Sequence, residues 1–301
     1  MAEDHTPKPF VRSDWLLHGL DRTMTGIEIG PWFSPVAPRA DGWKTVAVDF
    51  STGDELRERA RHHTSADIRA LESRIEDVDV VWQGQPLDEP LLTLHPDGYD
   101  YLIASHVLEH LPDLIGFFSQ LERIIKPGGV IALALPDKRL CFDFFRPLTL
   151  TDQVLAAWRE KRTRHAPETL FQVEAYQSWL DGQAAWSRGA RPDVKLVNTL
   201  AYAHARYRED IERSLQPEPA YVDAHAWTFI PSNFELIILE LNALGLIDFH
   251  ISRIMDSPDW SEFLVQLVRG RLPLTEDEIE ARRIDLLHRI VRDQARIWNQ
   301  V

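Results

Sequence analysis

The chain predicts an α/β fold: a seven-stranded, mostly parallel sheet with helices on both faces and a helical insertion after the fifth strand. Three observations carry this. Short apolar runs alternate with helical stretches between residues 26 and 135, the pattern of a parallel sheet covered on both sides. The strand signal then vanishes from 138 to 231. It returns at 247–255 and 262–268, after one more helix.

The elements follow in order. A polar lead with a short helical piece at 14–20 precedes the first strand, 26–30, and the second strand spans 45–50. A charged helical stretch covers 54–75, and strands three and four are 78–82 and 99–105. Pro112 suits the first position of a helix running to 125, where a missing N–H is no loss. Lys126-Pro127-Gly128-Gly129 is a stop and turn before the nearly all-apolar fifth strand, 130–135. Helical patterns then fall at 151–164, 168–186 and 194–215. Ser232 through Glu235 fits a capping box for a helix to 244, with Gly245 as its stop. Thr275 through Glu278 fits a second box. Behind it, Ile284, Leu287, Val291 and Trp298 recur near one helical face. That stripe is expected to dock on its own domain, with a homodimer contact as the alternative. The expected division is a core of 1–137 and 232–272, an insertion of 138–231, and a C-terminal helix of 273–301.

Charge narrows the partners. Against 33 basic residues stand 47 acidic ones, for a formal net charge of −14. Such a surface repels phosphate backbones and anionic lipid, so neither nucleic acid nor membrane is expected as a partner. With 44% hydrophobic residues and 10 Trp in 301 residues, the chain has enough apolar material for a core domain carrying an insertion. The single cysteine, Cys141, excludes an intrachain disulfide and suits a reducing compartment. The first residues lack a signal-peptide apolar stretch, and no apolar run nears 18 residues, so a cytoplasmic protein is expected.

Four motifs carry chemistry. In Gly26-Ile27-Glu28-Ile29-Gly30-Pro31 an acidic residue stands two before a glycine at the end of the first strand. Ligands of open parallel sheets bind beyond the carboxyl ends of the strands, and Gly30 allows close backbone approach there. Asp49 ends the second strand about 20 positions later, where a carboxylate can accept both ribose hydroxyls of a nucleoside. The others are Ser105-His106-Val107-Leu108-Glu109-His110 after the fourth strand and Lys126-Pro127-Gly128-Gly129 before the fifth. Each alone also fits a bland turn or helix cap. Two acidic strand ends in one β-α-β unit tip the balance toward a ligand.

Together these four motifs over 26–137 resemble class I S-adenosylmethionine-dependent methyltransferases of the small-molecule type, whose core is Rossmann-like. The chain departs from that pattern in having Pro31, Trp32, Phe33, Ser34 and Pro35 after Gly30 where further glycines are usual. A pyrophosphate needs a glycine-rich turn at a helix N-terminus, so the departure counts against a nicotinamide cofactor more than against one without phosphates. The resemblance implies S-adenosylmethionine as cofactor. It also implies Glu28, Gly30, Pro31 and Asp49 at the methionine and ribose end, Gln83 beside the adenine, and Ser105 and His106 near the sulfonium. His110 reads as structural.

Methylation of a hydroxyl also needs its proton removed. Candidate bases are His225 and His106, with Asp137 at the end of the fifth strand. His225, Asp223 and Asp137 are residue types that ligate metals. Because no spacing such as His-Glu-x-x-His occurs, no metal ligands are assigned and a divalent ion is not predicted. A looser resemblance of the Pro-Asp-Lys-Arg and Phe-Arg-Pro-Leu segments to methyltransferases of bacterial glycan pathways suggests a saccharide or glycan-precursor acceptor, small or oligomeric. The alternatives are O- or N-methylation of another metabolite, or a non-catalytic S-adenosylmethionine-binding partner protein.

Overall fold

The computed structural model of the chain describes residues 10–187, 193–257 and 261–298. Its strands are β1 (Thr25–Ile29), β2 (Lys44–Asp49), β3 (Val80–Val81), β4 (Tyr99–Ser105), β5 (Ile125–Pro136), β6 (Ser178–Trp179), β7 (Lys195–Leu196), β8 (Phe249–Asp256) and β9 (Glu262–Arg269). Seven of them form one sheet in the order β3-β2-β1-β4-β5-β9-β8. β3 through β5 run parallel, and β9 and β8 close the sheet antiparallel. This is the expected Rossmann-like architecture, with β1 and β4 adjacent where the strand order reverses.

The central strands are buried on both faces, which is why they read as unbroken apolar runs. One face packs Ile27, Leu102, Leu133 and Phe263 against helical Phe118 and Phe234. The other packs Tyr101, Ile103, Ala132 and Leu264 under Leu16. Gly26 is required here. A Cβ on it would lie 2.0 Å from the ring of Tyr101, whose hydroxyl hydrogen-bonds Thr45 at 2.8 Å.

The helices are α1 (Arg12–Leu16), α2 (Gly53–Arg61), α3 (Ala66–Ala70), α4 (Asp88–Leu94), α5 (Leu114–Ile124), α6 (Thr151–Arg159), α7 (Pro167–Tyr176), α8 (Leu200–Ser214), α9 (Pro231–Ala243) and α10 (Glu276–Trp298). Several differ from expectation. The stretch 54–75 is broken at His62–Ser65, where the backbone N–H of Ser65 bonds the His63 ring instead of continuing the helix. α5 starts at Leu114 because Asp113, not Pro112, caps it by accepting from Gly116 N–H. Residues 168–186 do not form one helix: α7 ends at Tyr176, and β6 then pairs with β7. Ser232 caps nothing. It lies inside α9 and bonds Asp293, while Asn233 accepts the N–H of Ile230.

The second box is present, with Thr275 and Glu278 bonding reciprocally. The stripe behind it is a correction. Ile284, Leu287 and Val291 are exposed, and α10 docks through Leu286 and Ile290 against Leu236 and Leu239 of α9. The side chain of Trp298 lies outside the described residues. Among those residues, no helix is long and apolar enough to cross a membrane.

Candidate active site

The carboxyl ends of β1, β2, β3 and β4 meet along one edge of the sheet. Gly30 follows β1 with φ +69°, and its amide donates to Val48 of β2. Trp32 and His106 also adopt left-handed backbone, at φ 37° and 54°. Non-glycine residues held there cost about 1–3 kcal/mol each and concentrate at functional sites. These two follow the adjacent strands β1 and β4.

Asp49 ends β2. Its Oδ1 accepts from the Phe50 amide, while its buried Oδ2 has no hydrogen-bond partner among the described residues. Burial raises its carboxyl above the usual range. Gln83 lies beyond β3 and reaches back to the carbonyl of Phe50, so the ends of β2 and β3 are tied together beside Asp49.

Glu28 was expected to meet a ligand. Instead its two oxygens accept from the amides of Val36 and Ala37, which makes it the anchor of the 31–37 loop. Burial pushes its carboxyl up to about 7 in spite of those amides. Pro31 is buried in that loop, and its carbonyl accepts from Ser34.

Ser105 ends β4 and His106 follows it. Arg12 of α1 donates to the Ser105 hydroxyl and to both oxygens of Glu262. His106 Nε2 lies 2.9 Å from Glu262, and its Nδ1 lies 3.4 Å from Glu109. Burial alone would depress the imidazole, but the two carboxylates outweigh it and push it up to about 9. Both ring nitrogens face carboxylates, so neither is turned toward an acceptor hydroxyl, which counts against the expectation of His106 as a base.

Asp137 is likewise unsuited. It is fully buried, caps the turn at Lys138–Leu140, and carries a multiply bonded ion pair to Arg139. Its carboxylate is committed to holding that turn.

His225 does reach this edge. The amides of Ala226 and Trp227 donate to the carbonyl of Glu109 at 2.6 and 3.3 Å, and the Trp227 indole donates to Leu111. These bonds place the returning chain against the short turn at Leu108–His110. His225 Nδ1 sits 2.5 Å from Asp143, which is itself bound to the buried Arg146. Burial works to raise the Asp143 carboxyl, but the hydrogen bond to His225 and the Arg146 guanidinium outweigh it and hold the group below the usual range.

The cluster also contains residues that sequence reasoning set aside. Glu109 is fully buried, and among the described residues neither of its oxygens has a hydrogen-bond partner, His106 Nδ1 standing 3.4 Å away. His110, expected to be structural, meets the ring of His225 edge-on at 4.7 Å and bonds Asp223 through Nδ1 at 2.8 Å. Of the three ligand types noted in the sequence, only His225 faces this cluster directly. Asp223 stands behind His110, and Asp137 is with Arg139. The adjacency of Glu109 to His110 after a strand end was the only sequence signal, and it lacked its distant partner.

The sheet is doubly wound, and an acidic side chain whose Oδ2 has no hydrogen-bond partner among the described residues stands at the end of its second strand. The model of a family described as a methyltransferase domain matches residues 20–183, more than half of the chain, and the chain belongs to that family. It is a class I S-adenosylmethionine-dependent methyltransferase. No curated protein matches it. Similar solved structures include the CcbJ methyltransferase from Streptomyces caelestis, at 15% identity over 89% of this chain and 100% of that one, TM-score 0.42. Others are S-adenosylmethionine-dependent methyltransferases from Mesorhizobium loti (14%, 85% and 98%, TM-score 0.40) and Aquifex aeolicus (14%, 86% and 89%, TM-score 0.39).

Proposed function

We propose that the chain transfers a methyl group from S-adenosylmethionine to a hydroxyl of a saccharide or glycan precursor. The observation that carries this is the polar cluster of Glu109, His110 and His225 immediately beyond β4. An oxygen nucleophile must lose its proton, and this is the one group of proton-accepting side chains beside that strand end with unpartnered acceptors among the described residues. Exposed Phe145, Trp158 and Trp179, on the segment 138–231, offer faces on which a sugar ring can stack. We assign that segment to the acceptor and residues 1–137 with 232–272 to the cofactor.

In this reading the Asp49 carboxylate accepts the ribose hydroxyls, its free Oδ2 being the acceptor they require. Gly30 and Pro31 pass beneath the methionine end, Gln83 flanks the adenine, and Ser105 and His106 line the wall beside the sulfonium. Glu28 acts indirectly by holding the 31–37 loop. The bound cofactor supplies an electrophilic methyl carbon. The protein aligns the acceptor oxygen with it and keeps water out, and alignment alone contributes several kcal/mol. Fixed by Asp143, His225 turns its Nε2 toward the acceptor oxygen.

The test is a methyl-transfer assay with labelled S-adenosylmethionine against free sugars, nucleotide sugars and amine-bearing metabolites. Labelling of a sugar hydroxyl supports the reading. Turnover confined to amines would replace it with N-methylation of another metabolite.

A further inference from the structure

One nitrogen of His110 and one of His225 converge with a carboxylate oxygen of Glu109, the three donor atoms lying within 4.8 Å of one another. Glu109 Oε1 is 3.9 Å from His110 Nε2 and 4.0 Å from His225 Nε2. A buried carboxylate with no hydrogen bond is costly unless a cation compensates it. His106 compensates only in part, since it stands 3.4 Å away and makes its shorter contact, 2.9 Å, with Glu262.

The orientation of the two imidazoles is the independent observation. Each is bonded through Nδ1 to a carboxylate, His110 to Asp223 at 2.8 Å and His225 to Asp143 at 2.5 Å. A carboxylate behind Nδ1 engages that nitrogen, so Nε2 is the one turned toward Glu109 and able to exchange its proton for a cation. This is the outer-shell arrangement that orients metal-bound histidines.

We propose that Glu109, His110 and His225 bind one divalent transition-metal ion of the zinc class. Two imidazole nitrogens and one carboxylate oxygen suit that class, and three protein ligands leave a coordination position open. Bonds of about 2.1 Å to a tetrahedral ion set its donors about 3.4 Å apart. Closing the observed 3.9 and 4.0 Å therefore needs side-chain shifts of some half an ångström. The site stands on its own geometry. The ion's role rests on the hydroxyl-acceptor reading, in which it would replace the free His225 Nε2 at the acceptor oxygen, orienting that oxygen and favouring its ionised form.

The experiment is calorimetric titration of chelator-treated protein with zinc chloride, with cobalt(II) chloride followed by visible absorption. Wild type is expected to take up one equivalent, and cobalt to give ligand-field bands. Glu109→Gln, which keeps the side-chain shape, and His225→Ala should each weaken uptake at least tenfold. Binding of S-adenosylhomocysteine and far-ultraviolet circular dichroism show that each variant is folded. If His225→Ala does not fold, His110→Ala takes its place. No stoichiometric uptake by wild type, or uptake by folded Glu109→Gln equal to wild type, overturns the site. Uptake without methylation of any hydroxyl keeps the site and sinks the acceptor reading. Hydroxyl methylation by protein that takes up no metal does the reverse.

Discussion

His225 Nδ1 lies 2.5 Å from Asp143 Oδ2 although 82 positions separate them, and both side chains are buried. The bond fixes which ring nitrogen carries the proton. Replacing Asp143 by Asn would present an amide in place of an acceptor-only carboxylate and allow the other tautomer. We expect Asp143→Asn to lower zinc affinity by roughly 10–100-fold, read by titration, with S-adenosylhomocysteine binding unchanged. Loss of both together would mean that the variant has unfolded the site.

Asp49→Ala removes the unpartnered acceptor at the end of β2. A hydrogen bond to a charged group contributes about 1.5–3 kcal/mol, so affinity for S-adenosylhomocysteine should fall roughly 10–100-fold. Calorimetry measures this directly. An unchanged dissociation constant would move the nucleoside elsewhere.

Glu28 predicts a pH dependence of stability. Burial raises its carboxyl from 4.5 to about 7, so the folded chain keeps a proton that the unfolded chain releases. The stability contributed by this group therefore falls as pH rises from about 4.5 to 7 and is flat above. Glu28→Gln lacks that titration. Denaturant unfolding at pH 5 and pH 8 should show the stability of wild type relative to the variant dropping by up to about 3 kcal/mol. An equal difference at both pH values would show that the carboxylate is charged throughout.

Trp227 fastens the returning chain to the turn after β4, its indole donating to Leu111 at 2.6 Å from a nearly buried ring. Trp227→Ala should cost about 3–5 kcal/mol of stability in denaturant unfolding. Trp227→Phe keeps most of the apolar contact but strands the Leu111 carbonyl, for about 1–3 kcal/mol. The milder variant also checks positioning. If this anchor places His225, its zinc affinity should drop although the protein remains folded.

What could be read from the sequence was local in origin. The strands of the main sheet are short apolar runs, and Gly30, Asp49 and Ser105 could be placed at strand ends because parallel topology puts those ends on one edge. Helix boundaries were less legible. Pro112 and Ser232 carry start signals, yet Asp113 and Asn233 supply the capping side chains, since the choice depends on which backbone N–H each can reach. The stripe on α10 failed similarly, because Leu286 and Ile290 rather than Ile284 and Leu287 meet α9.

By itself, then, the sequence determined the sheet, the cofactor class and the residues at the β2 and β4 ends, because period and strand-end chemistry are properties of neighbours in the chain. Only the tertiary structure decided which charged groups act alone and which are spent on one another. Glu28 is given to a loop, Asp137 to Arg139 and His106 to two carboxylates, whereas His225 is carried to Glu109 by backbone bonds from Ala226 and Trp227. Those pairings depend on distances of a few ångströms between residues far apart in sequence, and no periodicity encodes them.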